Sequence, residues 1–211
     1  MGVTSPSKLR LSFSAGTLVL EGASRQTVGR LFGPALEPWV WDPRVGAWRC
    51  DALEYAAVVE RLRQARQQVE DRVPAWQPVR WPQVQIHPLR PEQQAAVEAW
   101  LGTRRGLIVM PTGTGKTEIA LSLMARTAVA TLVVAPVRDL MYQWHRRILA
   151  SLGYDAGVIG DNVFRVRPVS VATYDSACIH AERFGDQFGL LIFDECHHLP
   201  GPVRQDRKSV V

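Results

Sequence analysis

Apolar positions alternate with polar ones in short runs over the first third of the chain. One run covers Leu9 to Phe13, a turn follows at 14–16, and a second run covers Thr17 to Glu21. Alternation with a period of two places the apolar side chains on one face of a strand, so two runs around a short turn predict a β-hairpin. The segments 39–41 and 47–49, on either side of a Pro- and Gly-containing turn, predict a second hairpin.

Helical spacing appears twice in the same part of the chain. Ser24 to Phe32 is predicted to form a short helix with Ser24 as its N-cap. Between Asp51 and Val73 the apolar residues recur on one helical face, which predicts a helix over that span. They are Leu53, Ala56, Ala57, Val59 and Leu62. Residues 1–73 are therefore predicted to form a small α+β domain.

A proline-rich connector follows over residues 74–90. Its prolines exclude a helix, because proline lacks the N–H that a helix interior requires. The connector also contains Trp76 and Trp81. Two large apolar side chains are unusual in a free linker, so we expect this segment to pack across a domain surface.

From residue 91 the pattern changes to alternating helices and near-continuous apolar strands. Glu92 to Leu101 is predicted as a helix, and four strands are predicted, separated by helical segments. The strands lie at 107–110, 131–135, 169–172 and 190–193. Apolar strands that alternate with helices predict an α/β domain with a parallel sheet covered on both faces.

The amino-acid composition limits the classes of protein to which this chain can belong. The chain has 211 residues, 46% of them hydrophobic, and a net charge of +5, which is weak support for a polyanionic partner. Its three cysteines form no CxxC pair, which favours a reduced, cytoplasmic setting. No apolar run approaches the ~18 residues of a membrane span, so no membrane association is predicted.

The strongest chemical signal is a glycine-rich turn between the predicted strand at 107–110 and a predicted helix. It runs through Pro111, Thr112, Gly113, Thr114, Gly115, Lys116 and Thr117. Such a turn directs backbone N–H groups toward phosphate oxygens at a helix N-terminus. Lys116 would add a positive charge for the β- and γ-phosphates, and Thr117 a hydroxyl for Mg²⁺. The pattern predicts an ATP–Mg²⁺ site.

A second signal lies at the end of the last predicted strand, where Asp194 and Glu195 follow Phe193. Asp194 would hold Mg²⁺, and Glu195 would polarise the attacking water as the catalytic carboxylate alongside Lys116. On an extended chain the two carboxylates point to opposite sides. We expect the lysine-bearing turn and this acidic pair to meet at one rim of the sheet.

Five segments together resemble the early motifs of superfamily 2 helicases, and in detail the XPB-like type of DNA repair. They are Leu89 to Gln93, Pro111 to Thr117, Val134 to Val137, Ala172 to Ser176 and Asp194 to His198. The resemblance covers about 88–202 and implies a RecA-like P-loop domain over 91–202. The front region is more loosely similar to the N-terminal domain of XPB relatives, regarded there as a DNA- or damage-recognition module.

The resemblance also implies residue roles. Arg90 and Gln93 would contact the adenine, the turn from Thr112 to Thr117 would bind phosphates and metal, and His197 would couple nucleotide state to DNA. Arg138, Thr173 and Tyr174 would contact a DNA strand. Alternatives remain open: Gln93 as an exposed helix residue, Arg138 as a helix start, and Tyr174 as core packing. The tryptophans at 39, 41 and 48 would either stack on bases or pack in a core.

The resemblance is expected to end at Pro202, so the sequence predicts an atypical tail over 203–211 and a chain without the second RecA-like domain. The expectation is therefore an ATP-dependent DNA helicase or translocase fragment, located in the cytoplasm or nucleoid, that binds ATP–Mg²⁺ but hydrolyses it negligibly alone. Two alternatives are a duplex translocase subunit of the restriction or remodelling type and a non-catalytic DNA-binding adaptor.

Overall fold

The computed structural model describes residues 8–111 and 113–196, which fall into two compact units. The first contains residues 8–75 and 181–186, and the second contains 76–180 and 187–196. Thr112, His197 and the tail at 203–211 lie outside the described residues, as does every expectation placed on them.

The first unit contains a five-stranded sheet with the order β3-β4-β2-β1-β5. Both predicted hairpins are confirmed, because β1 pairs antiparallel with β2 and β3 with β4. β5 adds to the edge of the sheet, parallel to β1. The strands are β1 (Leu9–Ser14), β2 (Thr17–Glu21), β3 (Val40–Asp42), β4 (Ala47–Asp51) and β5 (Val69–Asp71).

Two helices accompany this sheet. The helix α1 spans Arg25–Phe32 and is capped as predicted, since the Ser24 hydroxyl accepts a hydrogen bond from the Thr27 N–H at 3.1 Å. The helix α2 spans only Tyr55–Gln64, after a 3-10 turn. The prediction of one helix from 51 to 73 is therefore wrong in its second half. Arg66 adopts a left-handed backbone with φ of 50°, which ends the helix and directs the chain into β5.

Tryptophans contribute to the apolar core of the first unit. Trp39 and Trp48 are buried among leucines of β1 and β2, and the Trp48 indole N–H donates to the Ala23 carbonyl at 3.0 Å. Core packing is thus the observed role of these two rings. Trp41 differs, since 46% of its surface is exposed.

The predicted connector at 74–90 has no helix, as expected, and its residues 76–90 are part of the second unit, where they pack on neighbouring segments. The Val79 N–H donates to the Ala128 carbonyl at 2.7 Å, and the Gln85 N–H donates to the Ser151 carbonyl at 2.7 Å. The Trp81 ring meets Tyr154 edge-on, with ring centroids 5.9 Å apart.

The second unit is built on a sheet with the order β10-β6-β9-β7-β8. The first four strands are parallel, and β8 is antiparallel to β7. The α/β class with a parallel sheet is confirmed. The strands are β6 (Thr131–Ala135), β7 (Gly157–Gly160), β8 (Val163–Arg165), β9 (Val169–Thr173) and β10 (Leu190–Phe193). The helices are α3 (Pro91–Thr103), α4 (Lys116–Thr127), α5 (Arg138–Leu152) and α6 (Tyr174–Phe184), of which α6 has its residues from 181 onward in the first unit.

The predicted strand at 107–110 is wrong. This segment lacks strand pairing, and Leu107 and Val109 are 62% and 82% exposed. A strand forms only where its backbone pairs with a neighbour. Within the described residues β10 pairs only with β6, and a cavity lies between β10 and the segment at 107–110. The segment therefore runs beside the sheet without joining it. No helix in the described part of the chain is long and apolar enough to cross a bilayer.

Candidate functional site

The glycine-rich turn leads directly into α4, which begins at Lys116. Gly113 and Gly115 both have left-handed backbones, with φ of 77° and 80°. Position 115 requires glycine for two reasons. Its backbone is left-handed, and a Cβ there would lie 2.4 Å from the Gln93 Nε2. The turn thus leads into the N-terminus of a twelve-residue helix, an end at which backbone N–H groups commonly bind anions.

Gln93 lies on α3, and its side chain hydrogen-bonds to the glycine-rich turn. Its side chain is buried, its Oε1 accepts from the Arg90 N–H at 2.8 Å, and its Nε2 donates to the Thr114 carbonyl at 2.8 Å. The alternative of an ordinary exposed helix residue is wrong. The Arg90 guanidinium lies 3.9 Å from the Glu92 carboxylate. Adenine contacts by Arg90 and Gln93 stay predictions.

Lys116 has a protein partner in this structure. Its Nζ donates to the Met110 carbonyl at 3.0 Å, which holds the amine over the turn. The Thr114 hydroxyl donates to the Pro111 carbonyl at 2.6 Å and closes the turn from its other end. Thr117 is half-buried one position further along α4.

The acidic pair lies in a turn that follows β10. The strand ends at Phe193, and the Asp194 N–H donates to the Val134 carbonyl at 2.8 Å. Glu195 then adopts a left-handed backbone with φ of 50°. The expectation that both carboxylates point to opposite sides of an extended chain is wrong, because the chain turns at this point.

The glycine-rich turn and the acidic turn line one cavity of about 390 Å³. Lys116 and Thr117 contribute from α4, and Asp194 and Glu195 from the end of β10. The side-chain oxygens of Thr117, Asp194 and Glu195 are hard ligands of the kind that Mg²⁺ prefers. Within 8–111 and 113–196 there is no group of three His, Cys, Asp or Glu side chains that would form an all-protein metal cage.

Arg138 and Thr173, two of the three residues expected to contact DNA, line a separate groove of about 670 Å³. Arg138 lies at the first position of α5 and forms an ion pair with Asp161, which also accepts from the Tyr142 hydroxyl at 3.2 Å. The hydrogen bond from Arg138 keeps the pKa of Asp161 below its usual value, although burial partly opposes this. The Thr173 and Ser176 hydroxyls lie 2.9 Å apart in the same groove.

Tyr174, the third of those residues, does not line this groove. Its hydroxyl donates to the Asp194 carbonyl at 2.5 Å, and its ring stacks on Phe193 with centroids 6.1 Å apart. Burial raises the pKa of Tyr174, and the nearby Cys196, Asp194 and Glu195 raise it further. The structure therefore places Tyr174 beside the acidic turn.

Sequence reasoning missed one side chain at the site. The indole N–H of Trp144 on α5 donates to the Asp194 Oδ2 at 2.7 Å. Trp144 is buried and lines the cavity shared by Lys116 and Asp194. Fifty positions separate the two partners, and no local pattern signals such a contact.

Comparison with known families gives two matches. Residues 86–208 match the family described as "Type III restriction enzyme, res subunit". Residues 11–73 match the family described as "Xeroderma pigmentosum group B helicase damage recognition domain". The first match continues to residue 208, beyond Pro202, where the resemblance was expected to end.

Individual relatives agree with these matches. The chain is 41% identical over 169 residues to the "DNA 3'-5' translocase XPB2" of Sulfurisphaera tokodaii, an alignment that covers 80% of the chain and 38% of that protein. It is 31% identical over 126 residues to the "DNA 3'-5' helicase XPB" of Mycobacterium tuberculosis, covering 54% of the chain and 23% of the relative. The chain thus spans well under half the length of these relatives.

Proposed function

The chain belongs to the family of the type III restriction enzyme res subunit, in its XPB-like branch, and we propose that it forms the nucleotide-binding part of an ATP-dependent DNA translocase. The observation that carries this proposal is the shared cavity of Lys116, Thr117, Asp194 and Glu195. A cationic amine, a helix N-terminus and two carboxylates around one cavity suit a nucleoside triphosphate with its divalent cation.

Each group has a distinct task in the proposed reaction. The backbone N–H groups at the start of α4 and the Lys116 amine would bind phosphate oxygens. Thr117 and Asp194 would hold Mg²⁺, which supplies positive charge to offset the charge on the phosphates. Glu195 would orient the attacking water. This donor set fits Mg²⁺, which is commonly bound through one or two protein oxygens together with phosphates and water.

The proposed DNA contacts have two locations. In the second unit, the guanidinium of Arg138 and the hydroxyls of Thr173 and Ser176 line one groove, and such groups commonly contact nucleic-acid phosphates. In the first unit, the match to a damage recognition domain supports a second DNA contact, with the exposed Trp41 ring as its candidate stacking surface. A cytoplasmic or nucleoid setting follows from the proposal as a prediction.

Equilibrium binding of a fluorescent ATP analogue, with Mg²⁺ and with EDTA, tests the nucleotide site. Lys116→Ala should weaken binding by about tenfold or more, as loss of a hydrogen bond to a charged group implies. Lys8→Ala is the matched control, because Lys8 lies in the first unit and is exposed. Mg²⁺-independent binding, or equal affinities for the Lys116→Ala variant and the unaltered chain, would contradict the proposal.

Salt-dependent binding of a single-stranded oligonucleotide tests the DNA part. Arg138→Ala should weaken binding and reduce the slope of log K against log salt by about one unit. Arg126→Ala is the control, because Arg126 also forms an exposed ion pair, with Glu98 at 2.6 Å, but does not line the groove. DNA binding without nucleotide binding would instead favour the non-catalytic adaptor.

The Sulfurisphaera tokodaii relative is named a DNA translocase, which favours movement along DNA as the proposed activity, with or without separation of the strands. A strand-displacement assay on a longer protein that contains this chain would distinguish a helicase from a duplex translocase. Movement along DNA without release of a displaced strand would support the translocase alternative.

A further inference from the structure

Asp194 is fixed at three of its polar atoms by residues from three different elements. Its N–H donates to the Val134 carbonyl on β6, and its carbonyl accepts from the Tyr174 hydroxyl at the start of α6. Its Oδ2 accepts from the Trp144 indole on α5. The first two contacts hold the main chain, and the third holds the carboxylate.

The hydrogen bond from Trp144 is well placed to set the orientation of the carboxylate. The indole is rigid and buried, and its N–H can only donate, so it satisfies one carboxylate oxygen and its nitrogen cannot ligate a metal ion. Donation to Oδ2 leaves the other oxygen to serve a metal ion or its bound water. A carboxylate with one oxygen engaged in this way loses its freedom to rotate, which is how neighbouring donors orient ligands around metal sites.

The strength of the contact supports this role. A hydrogen bond to an ionised acceptor is stronger than one between neutral groups, and the N–O distance of 2.7 Å is at the short end of the usual range. The bond also joins two elements that are far apart in the sequence, α5 and the turn after β10. Trp144 is thus the side chain that ties the acidic turn to the helix packed beside it.

We propose that Trp144 is a positioning residue for the metal-binding carboxylate of Asp194. Its indole N–H orients Asp194 before the nucleotide arrives and thereby raises the affinity for the magnesium form of the nucleotide. This inference rests on the proposed nucleotide function and adds a residue that contacts neither phosphate nor metal.

The test compares nucleotide affinity with Mg²⁺ and with EDTA in the full chain, using the same fluorescent ATP analogue. Trp144→Phe removes the donor and retains an aromatic ring. We expect about tenfold weaker binding of the magnesium form, at the lower end of the effect of residues that orient metal ligands. Binding in EDTA should be unchanged, because the indole acts only through Asp194.

A matched control exists in the same unit. Trp100 is also buried, and its indole nitrogen has no hydrogen-bond partner within the described residues. Trp100→Phe should therefore leave the ratio of the two affinities unchanged. Thermal melting of both variants reports whether either substitution disturbs the fold.

A double-mutant cycle separates positioning from a general packing effect. In an Asp194→Asn background, Trp144→Phe should produce little further loss of magnesium-dependent affinity, because the carboxylate it orients is gone. Equal losses in both backgrounds, or equal losses with Mg²⁺ and with EDTA, would overturn the inference. The same applies if Trp144→Phe fails to weaken binding. If the unaltered chain shows no magnesium-dependent binding, the proposed function itself is wrong, and the inference is wrong with it.

Discussion

The side-chain amide of Gln93 donates a 2.8 Å hydrogen bond to the main-chain carbonyl of Thr114 and so ties α3 to the glycine-rich turn. The same amide nitrogen occupies the space beside Gly115 in which any larger residue would place its Cβ. The turn and its supporting side chain therefore depend on each other.

Substitution of Gly115 by alanine should disrupt the nucleotide site. The left-handed backbone costs a non-glycine residue ~1–2 kcal/mol, and the new Cβ would collide with Gln93. We expect a lower melting temperature and loss of magnesium–nucleotide binding, measured by thermal unfolding and by titration. Gly102→Ala in α3 is the control, because the added methyl group would meet no described atom within 4 Å beyond its chain neighbours and its own helical turn. Tight nucleotide binding by Gly115→Ala would show that the geometry of the turn is not required.

Neutralisation of Asp161 should strengthen oligonucleotide binding. The Asp161 carboxylate pairs with Arg138 in the groove, so it competes with any phosphate for that guanidinium. Asp161→Asn should give tighter binding at low salt and a steeper salt dependence, measured by fluorescence anisotropy. Weaker binding by this variant would indicate that the ion pair holds Arg138 in its binding position instead.

The buried Asp42 should make the first unit sensitive to acid. The hydrogen bond from Arg44 lowers the pKa of Asp42, although burial partly opposes it. A carboxylate with a lowered pKa stabilises the fold above its unfolded pKa of ~3.9, and this stabilisation is lost as pH falls through the folded value. Asp42→Asn should therefore be less stable than the unaltered chain at neutral pH, and the difference should shrink in acid. Urea unfolding of both proteins from neutral to acidic pH measures the difference in their free energies of unfolding. A difference that does not change with pH would contradict a stabilising role for the Asp42 carboxylate.

Two cysteines should differ strongly in reactivity. Burial raises the pKa of Cys50 to about 12, whereas Cys178 is exposed. Because the thiolate is the reactive form, iodoacetamide at mildly alkaline pH should label Cys178 and spare Cys50 until the protein is unfolded. Peptide mass spectrometry before and after denaturation would quantify both sites. Equal native labelling of the two thiols would contradict the buried environment of Cys50.

Local patterns were sufficient for much of the fold. Period-two alternation located the hairpin of β1 and β2, and Ser24 marked the start of α1, because both features depend on neighbouring residues only. The hairpin of β7 and β8 was missed, although its signal was present. Asp161 and Asn162 form a two-residue turn with φ of 53° and 60°, the conformation for which such residues are favoured between two short strands.

Features that depend on distant residues could not be predicted in the same way. An apolar run such as 107–110 has the composition of a strand, but its pairing is decided by what lies beside it. The contact from Trp144 to Asp194 requires α5 and β10 to be placed in space before it can be recognised. Likewise, the hydrogen bond from the Tyr174 hydroxyl to the Asp194 carbonyl is not visible in the motif that contains Tyr174.

Because the Lys116 amine already donates one of its three N–H groups to the Met110 carbonyl, a phosphate at the proposed site would compete with, or share the amine with, an internal partner. If the amine moved fully onto the ligand, the Met110 carbonyl would need water or another donor. Nucleotide affinity measured at the proposed site would then include the free energy of losing this internal contact as well as the free energy of gaining the ligand.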